Sequence, residues 1–189
     1  MKIIKDEVFL RGNVPMTKEE IRTLSISKMH LEKDDCILDI GGGTGAMAIS
    51  LAINVPKGFV TTIEKNKEAY HLICENQKKL QVNNLNIILG MAPDYLPKEK
   101  FNKIFIGGSY GKLKAIFSYI SNFLEEDGII VLNFITIENT GEAIELLKEY
   151  DFNYEISQIT ISKSKRIKDL TLMKTHNTVT IIQGQRRKK

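Results

Sequence analysis

Apolar residues along this chain cluster into short continuous runs separated by longer amphipathic stretches. "CILDIG", "FVTTIE", "LNIILG", "KIFIGG" and "GIIVLNFI" are each bounded by turn-forming residues, the pattern expected of strands buried on both faces of a parallel sheet. The stretches between them repeat apolar residues at helical spacing. Helices are predicted over Thr44–Ile53, Lys67–Leu80 (with Asn66 as N-cap), Lys112–Leu124 and Thr140–Tyr150. Ahead of them, Thr17 and Glu20 form a T-x-x-E capping box behind Pro15, opening the helix "KEEIRTLSISKMHL". After Tyr150 the period changes. "YEISQITISKSKRI" alternates and "TVTIIQG" reads as a further strand; with no helix between them they are expected to pair antiparallel. The sum is an α/β, doubly wound, Rossmann-like sheet whose last strands form an antiparallel hairpin at one edge.

Composition narrows this picture without redirecting it. A chain of 189 residues is expected to be a single domain over 1–189, with an N-terminal helix or lid at about 7–30 and a basic tail at 185–189. The net charge of +4 is mild and concentrated in that tail, which is expected to be a solvated, frayed end and gives no case for nucleic acid. Cys36 and Cys74 form no C-x-x-C pair, so they are expected to be buried reduced thiols with neither a disulfide nor a metal site. "MKIIKDEVFLRGN" lacks the apolar core of a signal peptide, and "GIIVLNFITI" is too short to span a bilayer. A cytoplasmic protein is expected.

Candidate chemistry begins at the end of the first strand. Asp39, Gly41, Gly43 and Gly45 form D-x-G-x-G-x-G, with Gly42 and Thr44 between them. Glycines there let a ligand approach the backbone, and the next helix aims its amides at the same space. Gly41, Gly43 and Ala46 also satisfy the dinucleotide fingerprint G-x-G-x-x-G/A, so the glycines alone do not choose a cofactor. Asp39 does help. A carboxylate at this strand end repels a pyrophosphate but suits a cofactor with a positively charged amino-acid moiety, such as S-adenosyl-L-methionine. Glu64 follows Asp39 by twenty-five residues, at the end of the second strand, where an acid accepts hydrogen bonds from ribose hydroxyls. After the third strand, "GMAPDYLP" supplies Ala92 to border the adenine, with Asp94 as a weaker candidate for its amino group.

A second glycine-rich turn, "KIFIGGSYGKL", ends the fourth strand. Methyltransferases of base amino groups usually carry Asp/Asn-Pro-Pro-Tyr/Phe at this place, and cytosine C5 enzymes need a Pro-Cys nucleophile. This chain has neither. Gly107, Gly108 and Gly111 instead leave space suited to a bulky, flat substrate, with Ser109 and Tyr110 on the same side.

Taken in order, "EVFLRGNVPMTKEEIRTLSISKMHL", "LDIGGGTGAMAISLA", "IEKNKEA", "FIGGSYGKL" and "LNFITIEN" resemble the decarboxylating cobalt-precorrin-6B C15-methyltransferases (the CbiT family, also named precorrin-8W decarboxylases). The resemblance runs from Glu7 to Gly184. It implies a seven-stranded class I methyltransferase sheet and a homotetramer using S-adenosyl-L-methionine. The implied reaction is methylation of C15 of a cobalt-precorrin, with loss of CO2 from the C12 acetate. It also implies that Thr17 contacts the cofactor together with Gly41–Gly45, Glu64 and Ala92. Tyr110 stands where the family commonly has glycine. Precorrin carboxylates call for cations, for which Arg11 and Lys18 are the favoured candidates, ahead of Lys163, Lys165, Arg166, Lys168 and Lys174. His176 is a candidate proton donor. The competing readings are a class I RNA methyltransferase of the tRNA adenine N1 type and a cofactor-binding module without catalysis.

Overall fold

The structure, a computed structural model, describes residues 1–187. A short 3-10 turn at Asp6–Val8 precedes α1 (Glu19–Lys28). A regular alternation follows: β1 (Cys36–Ile40), α2 (Ala46–Asn54), β2 (Phe59–Glu64), α3 (Lys67–Lys79), β3 (Leu85–Leu89), β4 (Phe101–Ile106), α4 (Leu113–Phe123), β5 (Leu124–Phe134) and α5 (Ile137–Glu149). Four strands end the chain, β6 (Phe152–Ile159), β7 (Ser162–Ile167), β8 (Leu170–Thr175) and β9 (Val179–Arg186).

Seven strands form one sheet in the order β3-β2-β1-β4-β5-β9-β6. The first five run parallel, and β9 lies antiparallel between β5 and β6. The alternation of side chains along each strand divides the core into two layers. Leu38, Ile40, Ile130 and Leu132 face α4 and α5, whereas Ile37, Ile129 and Val131 face α1 and α2. Both faces of the central strands are therefore covered, which is why they read as unbroken apolar runs. The order reverses between β1 and β4, and the crevice at their carboxyl ends is where such sheets bind ligands.

Several expectations need correction. The expected capping box does not form: α1 starts at Glu19 with Lys18 at the cap position and no side-chain cap. A charge-assisted partner takes the Glu20 carboxylate, and the chain at Thr17 is held by its carbonyl. The Thr17 carbonyl accepts from Arg22 Nη1 at 2.7 Å, and Glu20 pairs with Lys163 at 2.6 Å. Helix α2 begins two residues late because Gly45 is left-handed, whereas α5 begins early because Thr136 caps it by accepting from the Asn139 amide. Neither cysteine is buried: Cys36 is exposed at the first residue of β1 and Cys74 is half-buried on α3.

The terminal region differs most. The long alternating run is two strands, and β7 and β8 form a separate antiparallel hairpin. Nor is the basic tail solvated throughout. The Arg186 guanidinium donates to the carbonyls of Ile120, Ser121 and Leu124 at 3.0–3.1 Å, neutralising the C-terminal end of α4. Arg187 pairs with Asp151. Lys188 and Lys189 lie outside the described residues.

Candidate functional site

The carboxyl ends of β1 and β4 open into a cavity of about 640 Å³. Its floor is the first glycine turn. The amides of Gly41 and Gly42 both donate to the Ile63 carbonyl, at 3.0 and 3.2 Å, tying the turn to β2. Gly43 has φ +54° and faces the Pro15 carbonyl, which an added Cβ would approach to 2.8 Å. Only glycine meets both conditions. Because Gly45 supplies no side-chain cap, the first amides of α2 keep their capacity to donate. Thr44 lines the cavity, and its buried hydroxyl has no partner.

Glu64 ends β2 on the cavity wall. Its Oε2 accepts from the Gly43 amide at 2.9 Å and its Oε1 from the Asn66 amide at 2.8 Å. The carboxylate is thus fixed in place and 2% exposed, with Tyr110 Oη reaching Oε1 at 3.5 Å. Asp39 has a different position from the one its motif suggests. It lies behind the turn, wholly buried, and accepts from Thr62 Oγ1 at 2.7 Å. Burial pushes its carboxyl up to about 7; the Thr62 bond opposes this and the charge of Glu64 adds to it. Asp39 supports the turn from beneath and does not line the cavity.

A strap at residues 13–18 roofs the turn. It lines the cavity through Asn13, Pro15, Thr17 and Lys18. Two buried polar side chains, which sequence reading missed, hold the N-terminal segment down. Arg22, 2% exposed, donates to Asp6 and to the carbonyls of Ile4 and Thr17. Asn76, wholly buried on α3, accepts from the Leu10 amide and donates to the carbonyls of Leu10 and Thr44, joining the segment to the glycine turn. The available signal was an asparagine and an arginine on otherwise amphipathic helices, which surface residues share.

At the second turn, Gly107, Gly108 and Tyr110 line the cavity, whereas Ser109 and Ala92 face a small adjoining recess. Asp94 is spent on Lys112 at 3.2 Å. The far wall comes from Asn133 on β5 and from Ile135, Ile161, His176, Asn177 and Val179. Asn133 exchanges hydrogen bonds with Ser25 at 2.8–3.2 Å, another pair that sequence reading missed. Of the candidate cations, Lys18 reaches the wall, next to Asp6 at 4.0 Å. Arg11 is exposed away from the cavity. Lys163 is held by Glu20, whose hydrogen bond raises the lysine pKa. Lys165, Arg166, Lys168 and Lys174 are exposed on or between β7 and β8.

This arrangement fits S-adenosyl-L-methionine: free helix amides and an orphaned Thr44 hydroxyl, beside a fixed carboxylate for hydroxyl groups. Among the described residues no cluster of three His, Cys, Asp or Glu is placed to hold a metal, and no helix is long and apolar enough to cross a membrane.

Comparison with known proteins points the same way. Residues 7–186 match the family model described as a precorrin methyltransferase domain. A protein of Saccharolobus solfataricus named as a probable cobalt-precorrin-6B C(15)-methyltransferase (decarboxylating) is 38% identical over 97% of this chain and 95% of its own. The crystal structure of precorrin 8W decarboxylase from Methanobacterium thermoautotrophicum superposes with a TM-score of 0.91 at 30% identity, covering 96% of this chain and 99% of that one. A tRNA methyltransferase of Aquifex aeolicus reaches a TM-score of 0.80 over 98% of this chain and 77% of its own, but at 19% identity it shares the fold alone.

Proposed function

The chain belongs to the precorrin methyltransferase family, and from that premise we propose that it methylates C15 of cobalt-precorrin-6B and removes CO2 from the C12 acetate. The observation that carries this reading is the pairing of the fixed Glu64 carboxylate with an open glycine face opposite it, in one cavity. The tRNA adenine N1 reading is the weaker one, since the likeness to such an enzyme extends to fold but not to sequence.

S-adenosyl-L-methionine supplies an electrophilic methyl group. Gly41–Thr44, the first amides of α2 and Glu64 are the groups that would hold it. Opposite, Gly107 and Gly108 leave room for the edge of a macrocycle, while Met47, Phe105, Ile135, Ile161 and Val179 give it an apolar wall. Placing an electron-rich meso carbon next to the methyl group is the enzyme's main contribution, because orientation alone supplies much of the acceleration. Lys18 lines the cavity and would pair with a peripheral carboxylate of the precorrin. For the decarboxylation, the acetate C–C bond breaks, its electron pair passes into the conjugated ring, and a proton replaces CO2. His176 lines the cavity wall and would deliver that proton. The reading carries with it a cytoplasmic homotetramer, for which the exposed apolar residues Leu170, Leu172 and Met173 on β8 are the supporting feature.

Incubation with cobalt-precorrin-6B and methyl-labelled S-adenosyl-L-methionine tests this directly. One labelled methyl gained and one CO2 lost per ring is the expected outcome. Methylation of tRNA with no change in the corrinoid would reverse the choice.

A further inference from the structure

Tyr110 stands between two spaces. Its side chain lines the main cavity and also the recess behind it, which measures about 10 Å³ and is bordered by Met91, Ala92 and Ser109. A space of that size holds about one water, and a purine is many times larger. Yet Glu64 lies on the cavity side and Ala92 on the recess side, so a nucleoside spanning them must displace the ring that separates them.

The ring is held by weak contacts. Its hydroxyl is 3.5 Å from Glu64 Oε1, long for a hydrogen bond, and Lys65 Nζ sits 3.5 Å from the ring centroid. The residue is 54% exposed. Its backbone has φ +49°, a left-handed conformation that a bulky residue adopts at a cost. On either side, an added Cβ at Gly108 or Gly111 would meet nothing within 4 Å. Tyr110 is therefore a large side chain on a loosely surrounded pivot, resting on the carboxylate assigned to the ribose.

We propose that Tyr110 is a plug: its ring occupies the place of the base of an adenosine-containing ligand and swings out, between Gly108 and Gly111, to admit it. The inference rests on the cofactor reading above. Binding then selects the fraction of molecules in which the plug is open, and apparent affinity is lowered by that fraction. Removing the ring raises that fraction, and only ligands carrying the base gain from the change.

Calorimetric titration of the wild type, Tyr110→Gly and Tyr110→Phe with S-adenosylhomocysteine, adenosine and methionine tests the plug. Tyr110→Gly suits the left-handed backbone and is expected to bind adenosine and S-adenosylhomocysteine about fivefold more tightly, with methionine unchanged. Tyr110→Phe keeps the ring but loses the hydroxyl contact, and its gain should be about twofold. If Tyr110→Gly binds adenosine no more tightly than wild type, or gains equally for methionine, the plug is overturned while the cofactor reading stands. If none of the three proteins binds S-adenosylhomocysteine, both readings are overturned.

Discussion

The two glycine-rich turns that border the cavity look alike in sequence and differ in what surrounds them. In the first, an added Cβ would come within 2.9 Å of Gly108 N at Gly41, 2.6 Å of Thr62 Oγ1 at Gly42, 2.8 Å of the Pro15 carbonyl at Gly43 and 2.9 Å of Ile73 Cγ2 at Gly45. Each glycine there is a contact surface for another segment: the opposite turn, β2, the strap and α3. In the second, Gly108 and Gly111 have nothing within 4 Å of an added Cβ, and Gly107 meets Phe105 Cε1 at 3.1 Å. Glycine in the first turn allows the protein to close up. In the second it leaves space beside the cavity that the protein does not fill.

The sharpest way to break this contrast is Gly43→Ala. It combines a left-handed φ of +54° with a clash against the backbone of the strap, and backbone cannot move aside as a side-chain tip does. A stability loss of about 3 kcal/mol is expected, with S-adenosylhomocysteine affinity falling at least roughly tenfold, since strap and turn would separate at the proposed cofactor site. Denaturant unfolding and calorimetry measure the two losses. A variant as stable as wild type would mean that the strap does not rest on the turn.

A smaller effect separates the turns by what lies beneath them. Under the first is Asp39, buried and raised from 3.8 to about 7; the second turn follows the buried apolar run Ile104–Ile106. With a folded value above the unfolded one, the native state retains a proton that the unfolded chain gives up. Stability is thus highest below about pH 4 as far as this group is concerned, and falls as pH rises toward 7. Asp39→Asn keeps the shape and an acceptor for Thr62 Oγ1 while removing the titration. It is expected to flatten this decline and to stabilise the protein by on the order of 2 kcal/mol at pH 8. Unfolding free energies at pH 5 and 8 check this; parallel profiles for the two proteins would show that Asp39 does not titrate differently on folding.

The contrast also marks where sequence reading stops. The doubly wound sheet was legible because β1, β4 and β5 are covered on both faces and therefore written as apolar runs. The positions of Gly41–Gly45 and Glu64 were legible because a strand end, a tight turn and a helix start leave a fixed spacing. What could not be read was long-range. Arg22 reaches back to Ile4, and Asn76 reaches Leu10 and Thr44; no local pattern distinguishes them from surface residues. Asp39 was placed at the right strand end but is buried and does not line the cavity, because its place in the motif does not give the depth of its side chain. The capping box at Thr17 and Glu20 failed for a related reason: the Glu20 carboxylate is taken by Lys163, which approaches from β7. The β7–β8 hairpin was missed because its short exposed strands carry alternation without burial.

The smallest effect on the fold is expected for Gly108→Ala, and it is the most direct test of the second turn. The methyl group would meet no atom within 4 Å, and Gly108 does not have the left-handed φ that would make alanine costly. The change in stability should therefore stay within about 0.5 kcal/mol, a melting shift of roughly 1–2 °C for a domain of this size. The methyl would nevertheless project beside a cavity that both Gly108 and Tyr110 line. Turnover of cobalt-precorrin-6B should thus fall while the melting temperature holds, a separation that Gly43→Ala cannot show. A melting temperature lowered as far as that of Gly43→Ala would mean that the second turn is packed like the first, and that its glycines serve closure and not space.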